Sequence, residues 1–203
     1  LTNMGLEGLS LRVNSIGDSA CRPLYIQHLT KHYQPHVSDL CPDCQRRFES
    51  NTLRLLDCKK ATCQSYTEEA PKSVDYLCEA CQLHWNHLVE YLTNIDIPFT
   101  VDHRLVRGFD YYTRTVFEIQ PPGEGAQNSL AGGGRYDGLI EQLGGRQTPG
   151  IGFASGMERL ILNLKRQGLK LPATNAEQTA IVISIGSEAL PSAVKLASDL
   201  RAE

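Results

Sequence analysis

The sequence has no apolar run close to the roughly 20 residues that a membrane-spanning helix requires. Its first residues do not read as a signal peptide, and a soluble chain is expected. There is no excess of positive charge: the formal net charge over 203 residues is -3. That excludes a chain that is basic all over and leaves room for a local basic stripe. No GxxxxGK[ST] segment occurs, so a P-loop phosphate cradle is excluded. Internal repeats and low-complexity tracts are also missing. Leu1 is not an initiator Met and Glu203 falls within a helical pattern, so both ends are expected to be cuts in a longer polypeptide.

Cysteine, by contrast, is plentiful. Of the 7 Cys, Cys41, Cys44, Cys58, Cys63, Cys78 and Cys81 crowd into one stretch, and Cys21 stands apart. The odd count makes a disulfide framework the poorer explanation, and thiolates on a metal in a reducing compartment fit better. Cys41-x2-Cys44 and Cys78-x2-Cys81 have the spacing of a tetrahedral thiolate zinc site, each pair chelating one edge. Cys58 and Cys63 are a looser pair and alternates for one edge, and His84 and His87 are further candidates that on an apolar helix read first as packing or surface residues. Four thiolates leave no open position for water, so such an ion would be structural. The plainer alternative is a set of reduced, partly buried thiols without metal. Arg46, Arg47, Arg54, Lys59 and Lys60 nearby suit either nucleic-acid phosphate or a solvated face.

The coarse organisation follows from periodicity. Residues 8–14 alternate, with Leu9, Leu11 and Val13 on one face of a half-buried strand. A helix is expected over 18–34, opened by Asp18 and carrying Leu24, Ile26 and Leu29. Apolar spacing is thin over 38–80, where metal cross-linking would compensate for a small core. A clearer helix follows, with Cys81, Trp85, Leu88 and Leu92 on one face, ending before Pro98. Strands are expected at 113–119 and 151–154, with a turn at 121–125. Gly132, Gly133 and Gly134 permit an unusual backbone shape or a close approach. A helix bearing Met157, Leu160, Ile161 and Leu164 precedes a polar linker at 169–178. The segment AIVISIG and a helix with Ala193, Leu196, Ala197 and Leu200 then open a βα unit.

Chemistry-bearing residues concentrate in three segments. LVRGFDYYTRTVFE (105–118) supplies Arg107, Asp110, Tyr111, Tyr112 and Arg114, just after Arg104; AGGGRYDGLIEQLGG (131–145) supplies Arg135, Tyr136 and Asp137; GIGFASGMERL (150–160) supplies Arg159. A guanidinium's planar fork suits phosphate, and a Tyr gives an aromatic wall with one hydroxyl, suited to a flat polar substrate. Each alone has a plain reading: a salt-bridged Arg, a packed Tyr pair, a glycine turn.

Together, in this order and spacing, the first two segments resemble the signature segments of histidyl-tRNA synthetases. The third is similar to motif 3 of class II aminoacyl-tRNA synthetases. The resemblance implies an α+β fold: the C-terminal part of an antiparallel-sheet catalytic core, a helical Cys-rich insertion domain that approaches the tRNA acceptor arm, and the start of an α/β anticodon-binding domain. The implied boundaries are core at 1–17 and 100–168, insertion at 18–99, linker at 169–178 and anticodon-binding domain from 179. The implied activity forms histidyl-adenylate from histidine and ATP with Mg2+, then charges tRNA(His), in a cytoplasmic homodimer. Arg107 would sit against the ATP α-phosphate. Tyr111, Tyr112, Tyr136, Gly133 and Gly134 would line the histidine pocket, and Arg159 and Gly156 would bind ATP. Motifs 1 and 2, which carry the dimer interface and a further ATP-binding Arg, are not in these 203 residues. The chain alone is therefore expected to be inactive. The rival reading is the regulatory paralogue that binds histidine and controls ATP phosphoribosyltransferase.

Overall fold

The computed structural model describes residues 1–123 and 129–169 and, beyond them, 181–186, 189, 192–193, 195–196 and 200. The chain divides into two compact units, Leu1–Leu169 and Lys170–Glu203.

The first unit has the expected α+β architecture. The alternating segment forms β1 (Ser10–Ser15). A helical excursion follows, with α1 (Arg22–Tyr33), α2 (Pro42–Ser50), α3 (Ala61–Glu68) and α4 (Glu79–Asn94) linked through short 3-10 turns. The chain returns in β2 (Phe99–Val101), then lays down β3 (Thr113–Gln120), β4 (Ala131–Arg135) and β5 (Ile151–Ser155). The short helix α5 (Leu139–Gln142) connects β4 to β5, and α6 (Met157–Arg166) follows β5. The sheet order is β2-β1-β3-β4-β5. All neighbours are antiparallel except β1 and β2, which run parallel because the helical excursion is a crossover long enough to bring the chain back in the same direction.

Two local expectations change. Helix α1 starts at Arg22, not Asp18, because residues 18–21 form a turn in which the Ala20 amide donates to Asp18 Oδ1 at 3.0 Å. Its buried stripe is Tyr25, Leu29 and Tyr33, at i, i+4 and i+8, while Leu24 is exposed. Both phenols can be buried because each finds an acceptor. Tyr25 Oη donates to the Pro71 carbonyl at 3.0 Å, and Tyr33 Oη donates to Thr67 Oγ1 at 3.1 Å. The helical excursion thus has a fuller core than its spacing suggests, made by these residues with Leu40, Leu55, Leu56 and Ala70.

Strand β1 is also less one-sided than its pattern: Val13, Asn14 and Ser15 are all buried. The Asn14 amide compensates for its desolvation, donating to the Leu105 carbonyl at 3.0 Å and accepting from Ser73 Oγ at 3.3 Å. One side chain thereby joins β1 to the helical excursion and to the loop after β2. Leu6, Leu130, Leu160 and Leu164 form a separate core under α6, against which Leu169 packs. Met157 and Ile161 stay outside its buried set, Met157 being exposed.

In the second unit Ile181, Ile183 and Ile185 are exposed, and among the described residues 181–186 pair with no strand. Residues 192, 193, 195, 196 and 200 are helical. The expected linker from residue 170 onward, and Ala197, lie outside the described residues. No helix among the described residues is long and apolar enough to cross a membrane.

Removing the Asn14 amide leaves Ser73 Oγ and the Leu105 carbonyl short of a buried partner. Asn14→Ala is expected to cost about 2–3 kcal/mol, read as a lower urea midpoint with an unchanged slope.

Candidate functional site

The three motif segments meet on the sheet. Arg107 lies in the loop between β2 and β3, Tyr111 and Tyr112 immediately precede β3, and Tyr136 directly follows β4. The rings of Tyr111 and Tyr112 are 4.7 Å apart, and Tyr136 meets them edge-on at 6.0 and 6.4 Å. Phe109 stacks on Tyr111 at 5.2 Å. Burial, followed by the hydrogen bond with Tyr112, pushes the Tyr111 phenol up, and Arg107 pulls it down.

The glycine run of β4 makes this convergence possible. A Cβ at Gly132 would lie 2.7 Å from Arg107 Nη1, and one at Gly134 would press on the Thr115 carbonyl and the Tyr112 ring. A Cβ at Gly133, on the opposite face, would run into the Gly152 carbonyl and the Phe153 backbone of β5. None of the three has a positive φ. These glycines are required for space, not for torsion. Gly150 and Gly152 serve Tyr136 likewise, since a Cβ at either would meet its ring or hydroxyl within 2.6 Å.

Arg107 Nη1 donates to Glu118 Oε1 on β3 at 3.2 Å, while its buried Nε has no partner. Glu118 was given no role from the sequence, where its signal was its place at the end of the segment 105–118; the structure sets it on β3 in register with Gly132. Arg135 pairs with Asp137 at 2.7 Å. Gly156 caps α6, and a Cβ there would touch the stem of Arg159, whose Nη1 donates to the Ser129 carbonyl at 3.0 Å. Arg114 does not join the tyrosines: its guanidinium pairs with Asp18 at 3.2 Å.

Beside Arg107 a cavity of about 870 Å³ opens between the sheet and the helical excursion. Its lining includes the cations Arg12, Arg47, Lys59, Lys60, Arg104 and Arg107 and the acids Asp43, Asp57, Asp102 and Glu118. Several of these cations are paired: Lys60 with Asp43, Lys59 with Asp57, and Arg12 with Asp102. Arg46 also pairs with Asp43, and Arg47 donates to the Arg54 carbonyl.

The cysteines are arranged differently from the expected CxxC–CxxC site. The two pairs do not meet; each has its own partners. Cys41 and Cys44 gather with Cys58 and Cys63, and Cys78 and Cys81 gather with Cys21 and Asp18. Within each group the ligand atoms lie within 4.8 Å of one another. The physical reason is the path of the excursion: the turn into α3 returns Cys58 and Cys63 to the start of α2, while α4 starts beside the Asp18 turn. Each CxxC sits alike, its first Cys at the N-cap of α2 or α4 and its second one turn in. The alternates Cys58 and Cys63 thus fill the second edge of the first group. Cys21, which stood apart in sequence, and Asp18, read as a helix opener, complete the second.

All four cysteines of the first group are buried. The Cys41 amide donates to Cys63 Sγ at 3.3 Å, and Cys41 Sγ lies 3.9 Å from Cys58 Sγ. Burial pushes the Cys41 thiol up, but the Cys44 amide and the neighbouring sulfurs outweigh it and bring it to about 7. His84 and His87 are at neither group. His84 Nε2 bonds Thr115 Oγ1 at 2.9 Å, with burial and then Arg135 lowering its pKa, and His87 stacks on Tyr91.

The glycine geometry separates two substitutions. Gly133→Ala drives its methyl into β5 backbone and is expected to cost about 3 kcal/mol. Gly132→Ala meets only the terminal atoms of the Arg107 side chain, which it pushes off Glu118, and is expected to cost under about 1 kcal/mol. Equilibrium urea unfolding of both variants checks the contrast.

A family model described as "Histidyl-tRNA synthetase" matches residues 37–160. The histidine--tRNA ligase of Dehalococcoides mccartyi is 56% identical over 198 residues, covering 98% of this chain and 47% of the relative. That of Thermotoga petrophila is 49% identical over 201 residues, covering 99% and 47%. The crystal structure of apo S. aureus histidyl-tRNA synthetase superposes with a TM-score of 0.63 at 38% identity, covering 98% of this chain and 49% of that one. The chain spans about half the length of the curated relatives it matches. With its motif segments converging on one sheet, the chain belongs to the histidyl-tRNA synthetase family.

Proposed function

We propose that this chain supplies one wall of the active site of a histidine–tRNA ligase, which joins histidine to ATP as histidyl-adenylate and passes the histidyl group to tRNA(His). The observation that carries the reading is the shared face of β4. Arg107 over Gly132 and Tyr112 over Gly134 set a fixed cation next to a cluster of three tyrosines. In-line attack of the histidine carboxylate builds negative charge on the α-phosphate, and a cation already in place stabilises that charge without reorganising. Glu118 holds the guanidinium from one side. The tyrosines form a flat pocket whose hydroxyls pair with imidazole nitrogen and reject side chains that lack one. Gly134 keeps the pocket floor at backbone level, and Gly133, whose missing Cβ faces the other way, lets β5 close up behind it. Arg159 and Gly156, at the start of α6, are assigned to ATP, which enters as its Mg2+ complex.

The cavity beside Arg107 is assigned to the tRNA acceptor end, approached from the helical excursion, with Arg47, Lys59 and Lys60 on its lining. Ile151 and Phe153 on β5 and Met157 at the start of α6 are exposed by 68%, 72% and 66%. An apolar patch of that kind on an edge strand needs a cover. We assign it to the remaining part of the ligase, in a cytoplasmic homodimer. The Cys41, Cys44, Cys58 and Cys63 group is assigned to a structural Zn2+: four buried sulfurs match the all-thiolate donor set and leave no position for water.

The test is a chimera in which this chain replaces the matching segment of the Dehalococcoides mccartyi ligase. Histidine-dependent pyrophosphate exchange is expected from the chimera and not from the 203-residue chain alone. Arg107→Ala in the chimera is expected to lower kcat about 10²–10³-fold. A folded chimera that binds histidine without exchange would overturn the ligase reading in favour of a regulator. Separately, Cys58→Ser is expected to remove one equivalent of zinc, counted by elemental mass spectrometry after desalting.

A further inference from the structure

We propose a second metal site, held by Asp18, Cys21, Cys78 and Cys81, which takes one zinc-class divalent cation and fastens the helical excursion to the base of the tyrosine wall. It shares no residue with the Cys41 group. The metal assignment rests on its own geometry. Only its bearing on Tyr112 rests on the proposed function.

The four donor atoms lie within 4.8 Å of one another. Asp18 Oδ1 is 3.7 Å from Cys21 Sγ and 4.0 Å from Cys78 Sγ. A tetrahedral zinc with bonds of about 2.3 Å to sulfur and 2.0 Å to oxygen sets its ligands roughly 3.5–3.8 Å apart, so a small contraction closes the shell. Thiolate-rich donors with one oxygen select a borderline-soft ion over magnesium or calcium.

Three independent features surround this donor set. The Cys78–Cys81 pair repeats the arrangement of Cys41–Cys44, with one sulfur at the helix N-cap and one a turn inside. The Asp18 carboxylate is oriented from behind, since Arg114 Nη2 donates to Oδ2 at 3.2 Å while Oδ1 faces the sulfurs. Partners of that kind fix the direction of metal-binding carboxylates. Gly17, at φ +64°, leaves the space that Cys21 Sγ occupies; a Cβ there would lie 2.7 Å from the sulfur.

Charge supports the same assignment. Three thiolates and a carboxylate around a divalent ion carry a net charge of about −2. Two guanidinium groups flank the site: Arg114 on Asp18, and Arg22, whose neighbouring charges include Cys21, Asp18 and Cys81. Arg22 in turn donates to the Gly17 and Tyr112 carbonyls, and the Arg114 amide donates to the Gly17 carbonyl at 2.7 Å. The site thus borders the hydrogen bonds that tie Gly17 to Arg114 and to Arg22, and Arg22 to Tyr112.

The test counts metal in the full chain, purified under reducing conditions with zinc supplied and then desalted, by elemental and native mass spectrometry. Two equivalents are expected in the wild type. Cys21→Ser and Asp18→Asn should each lose one, Cys58→Ser should lose the other, and a Cys21→Ser/Cys58→Ser double variant should lose both. Cobalt substitution of Cys58→Ser should leave a thiolate-to-cobalt band weaker than that of Cys21→Ser, since three sulfurs replace four. A wild type holding one equivalent that survives Cys21→Ser overturns the site, even where a variant fails to fold. So does a disulfide among Cys21, Cys78 and Cys81 in place of a second ion. Neither measurement depends on pyrophosphate exchange, so failure of the ligase reading is seen separately.

Discussion

The Arg22 guanidinium is the joint on which the first unit turns. Its Nε donates to the Ile16 carbonyl at 3.1 Å, and its Nη2 donates to the Gly17 carbonyl at 2.9 Å and to the Tyr112 carbonyl. One cation therefore gathers the end of β1, the turn into α1 and the residue before β3. Burial draws its pKa down, and the negative groups around it, Cys21 and Asp18 first, oppose that. A buried charge is tolerated only when its donors are satisfied, and breaking such a set is far more costly than never having made it. The helical excursion leaves the sheet at this joint, beside the entry to β3, so its first turn and the position of Tyr112 are not independent.

The same constraint explains a strained residue. Arg114 has φ 54° at the irregularity between Thr113 and Val116, where β3 slips in register against β4. A left-handed backbone is unfavourable for a long side chain. Here it is held by the Arg114 amide on the Gly17 carbonyl, the Ile16 amide on the Arg114 carbonyl, and the guanidinium on Asp18. The bulge lies directly after Tyr111 and Tyr112, which pack against Tyr136 where Gly134, Gly150 and Gly152 leave room for the rings. Anchored on one side and free of Cβ atoms on the other, the tyrosines keep a packed geometry beside Arg107 before any substrate arrives. Under the proposed ligase function, that preorganisation is what electrostatic catalysis would require.

Much of this was legible in the sequence, for reasons that differ by region. Strand alternation predicted β1 and β3, and the apolar spacing predicted α4 and α6, because burial on one side writes its period into the chain. The motif segments pointed to Arg107 and the tyrosines, which the fold does bring together beside β4, because Arg, Tyr and Gly crowd into those segments. The buried stripe of α1 was missed because two of its members are Tyr, which read as half-polar until Pro71 and Thr67 are seen to accept their hydroxyls. Asn14 was placed on the polar face of β1, and nothing in its neighbours announces Ser73 and Leu105. Both misses are polar groups whose partners are distant in sequence.

The cysteines show the same limit in a sharper form. A CxxC at a helix start says that two sulfurs will lie side by side, and both pairs take that place. It says nothing of which second edge closes the tetrahedron, because that is decided by where the chain returns. Joining Cys41–Cys44 to Cys78–Cys81 would have tied α2 to α4 and left Cys58 and Cys63 loose inside a hydrophobic core. The observed division instead gives each group a separate task. The four sulfurs near Lys60 complete the core of the excursion, where Leu40, Leu55 and Leu56 surround them. The Asp18 group lies at the joint, where the Asp18 carboxylate pairs with Arg114 and Gly17 accepts from Arg22. Ion pairs and hydrogen bonds at that joint, and not apolar burial alone, tie the helical excursion to the sheet.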